Sequence, residues 1–199
     1  MSNYKVKLKN IKAFAFDVDG VFTDGSIICI PETGDLVRTF NAKDGLGMRL
    51  AYMSGYTLAI ITGGRSDSIL KRFYPVLAHE VIQNAQDKLP VFEDFCKRHN
   101  FKPEEVAYVG DDLPDIPVLQ KCGLAVCPSD AVAEVKSVCD FVSEFPGGRG
   151  CVRNLIEQVM KAQGKWNLDP SAYQAWRHAI DEEYNKIYKK QGACPGRSG

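Results

Sequence analysis

An apolar run from Ile11 to Phe16 that stops abruptly at Asp17-Val18-Asp19-Gly20 constrains this chain more than any other stretch. It reads as a buried strand with Asp17 at its carboxyl end. In open α/β sheets ligands bind in the crevice at the carboxyl ends of the strands, so a carboxylate placed there is a candidate site. Asp17 and Asp19 are two apart, and in an extended segment they share a face. Two neighbouring carboxylates repel unless a cation lies between them or one keeps a proton. Hard oxygen ligands of this kind suit Mg²⁺. Three later stretches supply what such a pair needs. Ile60-Ile61-Thr62-Gly63 ends a second apolar run in a hydroxyl, and Asp87-Lys88 follows a third. Val109-Gly110-Asp111-Asp112-Leu113-Pro114-Asp115 ends a fourth in further carboxylates.

The rest of the chain alternates strand-like and helix-like segments. After Gly20 and Gly25, two β-rich runs, Ser26–Ile30 and Leu36–Asn41, flank Pro31-Glu32-Thr33-Gly34-Asp35. That turn chemistry predicts a β-hairpin directly after the DxD loop, placed to cover it as a flap. A helix opens at Asp44 or Gly45 and stops at Gly55; Tyr56–Ile61 is a second core strand. Ser66 caps a helix that ends at Pro75, Val76–Ile82 is a strand, and Asp87 to Arg98 is helical, with Lys88 in its first turn. Val106–Val109, Leu124–Val126 and Phe141–Val142 read as strands, Asp115–Lys121 and Cys151–Gln163 as helices. This alternation predicts an α/β fold: a doubly wound, Rossmann-like parallel sheet with helices on both faces. Gly164 marks a boundary between a domain over 1–164 and a helical tail over 165–199. In the tail Trp176, Ile180, Tyr184, Ile187 and Tyr188 recur at helical spacing, a stripe that needs a partner surface. The last seven residues, from Ala193, read as disordered.

Composition limits the alternatives. With 199 residues, 45% of them hydrophobic, the chain can build one full core plus an appendage. Its net charge of zero gives no electrostatic reason to expect nucleic acid or an anionic membrane. The seven cysteines are odd in number, widely spaced and without a CxxC pair, so they read as buried hydrophobes rather than zinc ligands or a disulfide frame. The N-terminal stretch lacks the apolar centre of a signal peptide, and no apolar run is long enough to span a bilayer. The expected setting is a reducing cytoplasm.

DxDG after an apolar strand, a strand-end Thr, a Lys and GDDxxD, in this order, resemble the haloacid dehalogenase-like phosphatase superfamily. The resemblance covers roughly Ile11 to Gly164. It implies that Asp17 is the nucleophile and forms an aspartyl-phosphate. It implies that Asp19 gives a proton to the leaving alkoxide and later takes one from water. Mg²⁺ would be held by Asp17, the backbone carbonyl of Asp19 and Asp111. Thr62 and Lys88 would bind phosphoryl oxygens, and Asp112 and Asp115 would orient water, metal or Lys88. Most relatives insert a cap domain. Here only about forty residues separate Asp19 from Thr62, too few for one, so the fold is expected to be capless and to complete its pocket by oligomerising.

FDVDGVFTDG (Phe16–Gly25), FNAKDGLGMRL (Phe40–Leu50), ITGGRS (Ile61–Ser66), VAYVGDDLPDIPVL (Val106–Leu119) and PGGRGCVRNL (Pro146–Leu155) resemble the 3-deoxy-D-manno-octulosonate 8-phosphate phosphatases more closely. That family implies a homotetramer whose flaps close neighbouring sites. Its substrate site would correspond to Asn41, Lys43, Asp44, Gly45, Arg49, Arg72 and Lys88. The sequence departs from the family in three places: T-G-R-K after the second strand is Thr62-Gly63-Gly64-Arg65 here, the glycine-serine stretch before the third-motif lysine is Asn84-Ala85-Gln86-Asp87, and the tail after Gly164 is longer. Arg65, one position late, is therefore the third arginine candidate for the sugar carboxylate, beside Arg49 and Arg72. Two other readings compete: a 9-phosphate phosphatase for a nonulosonic acid, and a non-catalytic oligomeric domain of the kind fused to sialic acid-activating synthetases.

Overall fold

The computed structural model describes residues 4–34, 36–74 and 78–166, and beyond them 169, 171, 174–175, 177–179 and 181–182. The chain divides into two compact units, Met1–Trp166 and Asn167–Gly199. In the first unit, α1 (Tyr4–Lys7) and a 3₁₀ turn precede β1 (Ala13–Phe16). The hairpin β2 (Ile28–Cys29) and β3 (Leu36–Val37) follows, then α2 (Ala42–Met53), β4 (Thr57–Ile61), α3 (Asp67–Phe73) and β5 (Glu80–Ile82). Next come α4 (Lys88–Arg98), β6 (Val106–Val109), a 3₁₀ turn over Leu113–Asp115 and α5 (Ile116–Leu119). The unit closes with β7 (Leu124–Cys127), α6 (Ala133–Val138), β8 (Phe141–Val142) and α7 (Cys151–Ala162).

Among the described residues six strands form one parallel sheet in the order β5-β4-β1-β6-β7-β8. The chain winds outward from β1 through β4 to β5, crosses back to β6, and winds outward again. Its direction therefore reverses at β1 and β6, the place where such sheets open a crevice. The central strands are buried on both faces, as a parallel sheet covered by helices requires. That explains why β1, β4 and β6 read as unbroken apolar runs. The predicted strands all occur, some trimmed: Ile11 and Lys12 lie before β1, and β5 begins only at Glu80. Residues 75–77, where a helix stop and a strand start were expected, lie outside the described residues.

The expected hairpin is present as an antiparallel pair of two residues each, in register Ile28 to Val37. Its root is pinned by aromatic contacts. Phe22, before the hairpin, and Phe40, after it, meet the ring of Phe73 at 4.7 and 5.5 Å, and Phe22 also meets Phe16 of β1 at 5.3 Å. In the second unit Asp169 accepts from both the backbone N–H and the hydroxyl of Ser171, at 2.9 and 2.6 Å. Trp176, Ile180, Tyr184, Ile187, Tyr188 and the terminal residues from Ala193 lie outside the described residues. No described helix is long and apolar enough to cross a membrane.

Candidate active site

Each strand of the central group delivers one chemical group to the carboxyl edge of the sheet. Asp17 directly follows β1, its N–H donating to Val109 O of β6 at 3.0 Å, so its position continues the ladder. Thr62 is fixed the same way beyond β4, its N–H donating to Ile82 O at 3.0 Å. Asp111 stands just beyond β6, and Lys88 in the first turn of α4. These residues line a cavity of about 380 Å³, with Asp19, Asp112 and Asp115 also in its wall. A larger cavity of about 690 Å³ opens at the opposite, amino end of the strands, beside Lys12, Tyr56 and Glu105, and holds none of the motif residues.

The floor of the site is a buried charge network. Lys88 is 5% exposed, and its Nζ lies 2.7 Å from Asp115 Oδ1 and 3.1 Å from Asp17 Oδ2. Burial would lower the pKa of Lys88, but the charges of Asp17 and Asp115 outweigh it and push it up. Asp115 accepts four donors: Lys88, the hydroxyl of Tyr108 at 2.7 Å, and the backbone N–H groups of Asp111 and Asp112 at 3.0 and 3.4 Å. Asp17 Oδ1 and Asp111 Oδ1, by contrast, are buried without a hydrogen-bond partner. Burial first, then the charge of Asp115, lifts Asp17 to about 7; burial, then Asp17 and Asp115, lifts Asp111 to about 7. Oxygen donors of Asp17, Asp111 and Asp115 lie within 4.8 Å of one another. A hard divalent cation fits this place, because it would satisfy both orphaned oxygens and remove the repulsion that raises the two carboxyls. Asp115, with its oxygens already engaged, fits as the anchor of Lys88 and not as a ligand. Gly20 makes the approach of Asp111 possible: its φ is +84°, and a Cβ there would stand 2.0 Å from Asp111 Oδ2.

Asp19 differs from expectation. β1 has ended by Phe16, and Asp19 sits in a turn where Val18 O accepts from Phe22 N–H at 2.9 Å. The alternation that places residues two apart on one face does not extend through a turn, so the carboxylates facing Asp17 are Asp111 and Asp115. Asp19 is instead held by Arg38 of the hairpin, Nε to Oδ1 at 2.7 Å and Nη2 to Oδ2 at 2.9 Å. Sequence reasoning missed Arg38, since nothing in Val37-Arg38-Thr39 distinguishes it from a solvated strand arginine. It also missed Tyr108, which did carry a signal: a hydroxyl inside a fully buried strand needs a partner.

The residues that the family resemblance assigned to the substrate site, Lys88 apart, do not line this cavity in the single chain. Asn41 caps α2, accepting from Lys43 N–H at 2.8 Å, and its amide donates to Gly148 O at 3.2 Å. Asp44 is fully buried and faces the start of α7, accepting from Gly150 and Arg153 N–H at 3.2 and 2.8 Å. Gly45 lies against Arg72, where a Cβ would stand 2.3 Å from Nη2. Arg72 lies 5.6 Å from the Phe40 ring; Arg72 and Arg49 each bury an Nε without a partner. Lys43 and Arg65 are exposed. Asp112 caps the 3₁₀ turn through Leu113 N–H at 2.8 Å.

A sequence profile described as haloacid dehalogenase-like hydrolase matches residues 68–152. The chain is 39% identical over 159 residues to the 3-deoxy-D-manno-octulosonate 8-phosphate phosphatase of Escherichia coli K12, over 80% of this chain and 84% of that one. Among solved structures it resembles the phosphatase of the same name from Yersinia pestis, with 34% identity and a TM-score of 0.80 over 82% of this chain and 88% of that one. It likewise resembles the Moraxella catarrhalis phosphatase, described in complex with a magnesium ion, a phosphate ion and KDO. There the identity is 34% and the TM-score 0.81, over 88% and 98% of the two chains.

Proposed function

The chain belongs to the haloacid dehalogenase-like hydrolases, in the 3-deoxy-D-manno-octulosonate 8-phosphate phosphatase family, and on that premise we propose how its residues perform the reaction. It is a Mg²⁺-dependent phosphoric monoester hydrolase that releases the free sugar acid and phosphate. The observation that carries this reading is the pair of orphaned buried oxygens on Asp17 and Asp111, set beside buried Lys88 where the sheet reverses direction. Asp17, Asp111 and the backbone carbonyl of Asp19 would hold Mg²⁺, and the ion would supply positive charge that offsets the repulsion between a carboxylate nucleophile and a phosphate ester.

Asp17 attacks phosphorus and the P–O bond to the sugar breaks. Asp19 supplies the proton that the leaving alkoxide takes. Lys88, anchored by Asp115, and Thr62 bind the equatorial oxygens as charge spreads over them. Water then attacks the phosphorus of the aspartyl-phosphate, Asp19 takes its proton, and Asp17 is regenerated as phosphate leaves.

A homotetramer completes the pocket. The hairpin presents Ile27, Ile28 and Val37 to solvent, an apolar face suited to a neighbouring copy. Arg49 and Arg72 hold unpartnered guanidinium nitrogen within the same chain, which suits a carboxylate brought to them at a subunit boundary. The six described cysteines are free thiols, in keeping with a cytoplasmic setting.

The test is phosphate release from three substrates with Mg²⁺ and with chelator: the octulosonate 8-phosphate, a nonulosonate 9-phosphate and an aryl phosphate. The first should turn over fastest, and chelator should stop all three. No release from any of them with Mg²⁺ present would end the enzymatic reading.

A further inference from the structure

Arg38 is 8% exposed although it leaves a strand only two residues long at the edge of the molecule. Burying a guanidinium is costly unless it is paired and hydrogen-bonded. Its pairing is the two-point contact with Asp19; its third nitrogen, Nη1, is buried without a partner. The ion pair is thus what holds this side chain inside. It joins the root of the hairpin, just past β3, to the turn after β1.

Room for the contact comes from Gly64. A Cβ at that position would stand 3.2 Å from Arg38 Nη2, 3.4 Å from Asp19 Oδ2 and 3.5 Å from Thr62 Oγ1. The guanidinium therefore lies against the loop after β4, beside Asp19 and Gly64, both of which line the cavity that holds Asp17 and Lys88. A side chain at 64 would press first on the nitrogen that bonds Asp19. Arg65, the neighbouring cation, points to no such partner and is exposed.

We infer that Arg38 is a positioning residue: the hairpin reaches into the site through it to set the side-chain orientation of Asp19, and Gly64 is its berth. The flap then has two anchorages, the aromatic root on Phe73 and the Arg38–Asp19 pair. Only the second touches a group that moves protons in the reaction. The inference rests on the phosphatase reading for its kinetic consequence, but the contact itself can be tested without substrate.

Hydrogen exchange of peptides spanning 26–41 is measured first, on the full chain without substrate. Arg38→Ala and Asp19→Asn should each speed exchange there, and the double variant should exchange no faster than either. Unchanged exchange in both single variants overturns the contact, whether or not the protein is a phosphatase. Turnover is measured next. Arg38→Ala should lower kcat by about tenfold to about a hundredfold with KM for the sugar-acid phosphate little changed, the pattern of a misplaced catalytic group. Arg38→Lys, which can reach one oxygen of Asp19, should recover part of the loss. Gly64→Ala should lower kcat a few-fold in the native background and not at all on top of Arg38→Ala. A rise in KM with kcat kept would make Arg38 a substrate ligand and overturn the positioning role, as would additive losses from Gly64→Ala and Arg38→Ala.

Discussion

At the scale of single residues the site is a problem of too much negative charge in too little water. Oxygens of Asp17, Asp111 and Asp115 lie within 4.8 Å of one another beside one lysine, and Asp115 is already saturated by Lys88, Tyr108 and two backbone donors. The imbalance falls on Asp17 and Asp111, both lifted to about 7. Their folded pKa lies above the unfolded value, so between pH of about 4 and about 7 the cation-free folded chain binds more protons than the unfolded one, and stability falls as pH rises through that window. A divalent cation displaces those protons. Mg²⁺ should therefore raise Tm more at pH of about 8 than at about 5.5, where it competes with two protons. Equal increments at both pH values would mean that Mg²⁺ binds elsewhere. The nucleophile has its own test. Asp17→Asn keeps the volume and removes the charge, so circular dichroism should be unchanged while phosphate release vanishes. Asp19→Asn should lose about 10²- to 10⁴-fold through proton transfer alone. Undiminished release from Asp17→Asn would end the aspartyl-phosphate mechanism.

At the scale of elements, burial on both faces made the core legible and partial burial made the rest hard to read. β1, β6 and β7 are buried throughout, and β4 from Leu58 onward, because helices cover them, and β1, β4 and β6 lead into Asp17, Thr62 and Asp111 at the carboxyl edge. That combination is visible in a sequence. α1 was not visible, because four residues with two lysines carry no period. Arg38 was not visible because its burial depends on a carboxylate nineteen residues away, a tertiary match with no local pattern. Asp44 shows the same limit from the other side. The family resemblance places it in the substrate site, yet its carboxylate receives two N–H groups at the first turn of α7, which begins after Gly150 with φ +113°. It is the helix's N-terminal acceptor supplied from α2, so it ties together two helices that pack on each other. Asp44→Ala should lower stability by about 1–2 kcal/mol, several degrees in Tm, while KM for an aryl phosphate stays level. A raised KM for the sugar-acid phosphate with unchanged Tm would instead place Asp44 in contact with substrate.

At the scale of the whole molecule the decisive fact is a hairpin too short to stand alone. Two residues per strand cannot hold a flap in water; isolated hairpins need further strands or a packing surface. Inward, this one has Phe22, Phe40 and the Arg38–Asp19 pair. Outward it exposes Ile28 at 60% and Ile27 at 47%. In a cap-free phosphatase the same hairpin, reaching Asp19 through Arg38, is placed to shield a sugar acid from water. Packing of the outer faces around a common axis resolves both needs at once: apolar area is covered, and each cavity gains a wall from the next copy. If the proposed homotetramer forms, sedimentation velocity should give four chains at micromolar concentration. Ile28→Asp, which puts a charge in the middle of that contact, should shift the protein toward the monomer and raise KM for the sugar-acid phosphate. It should leave hydrolysis of a small aryl phosphate much less affected, because Asp17, Lys88 and Thr62 all belong to one chain. A native monomer that discriminates fully between the two substrates would remove the shared wall from the account and leave the chemistry on Asp17 untouched.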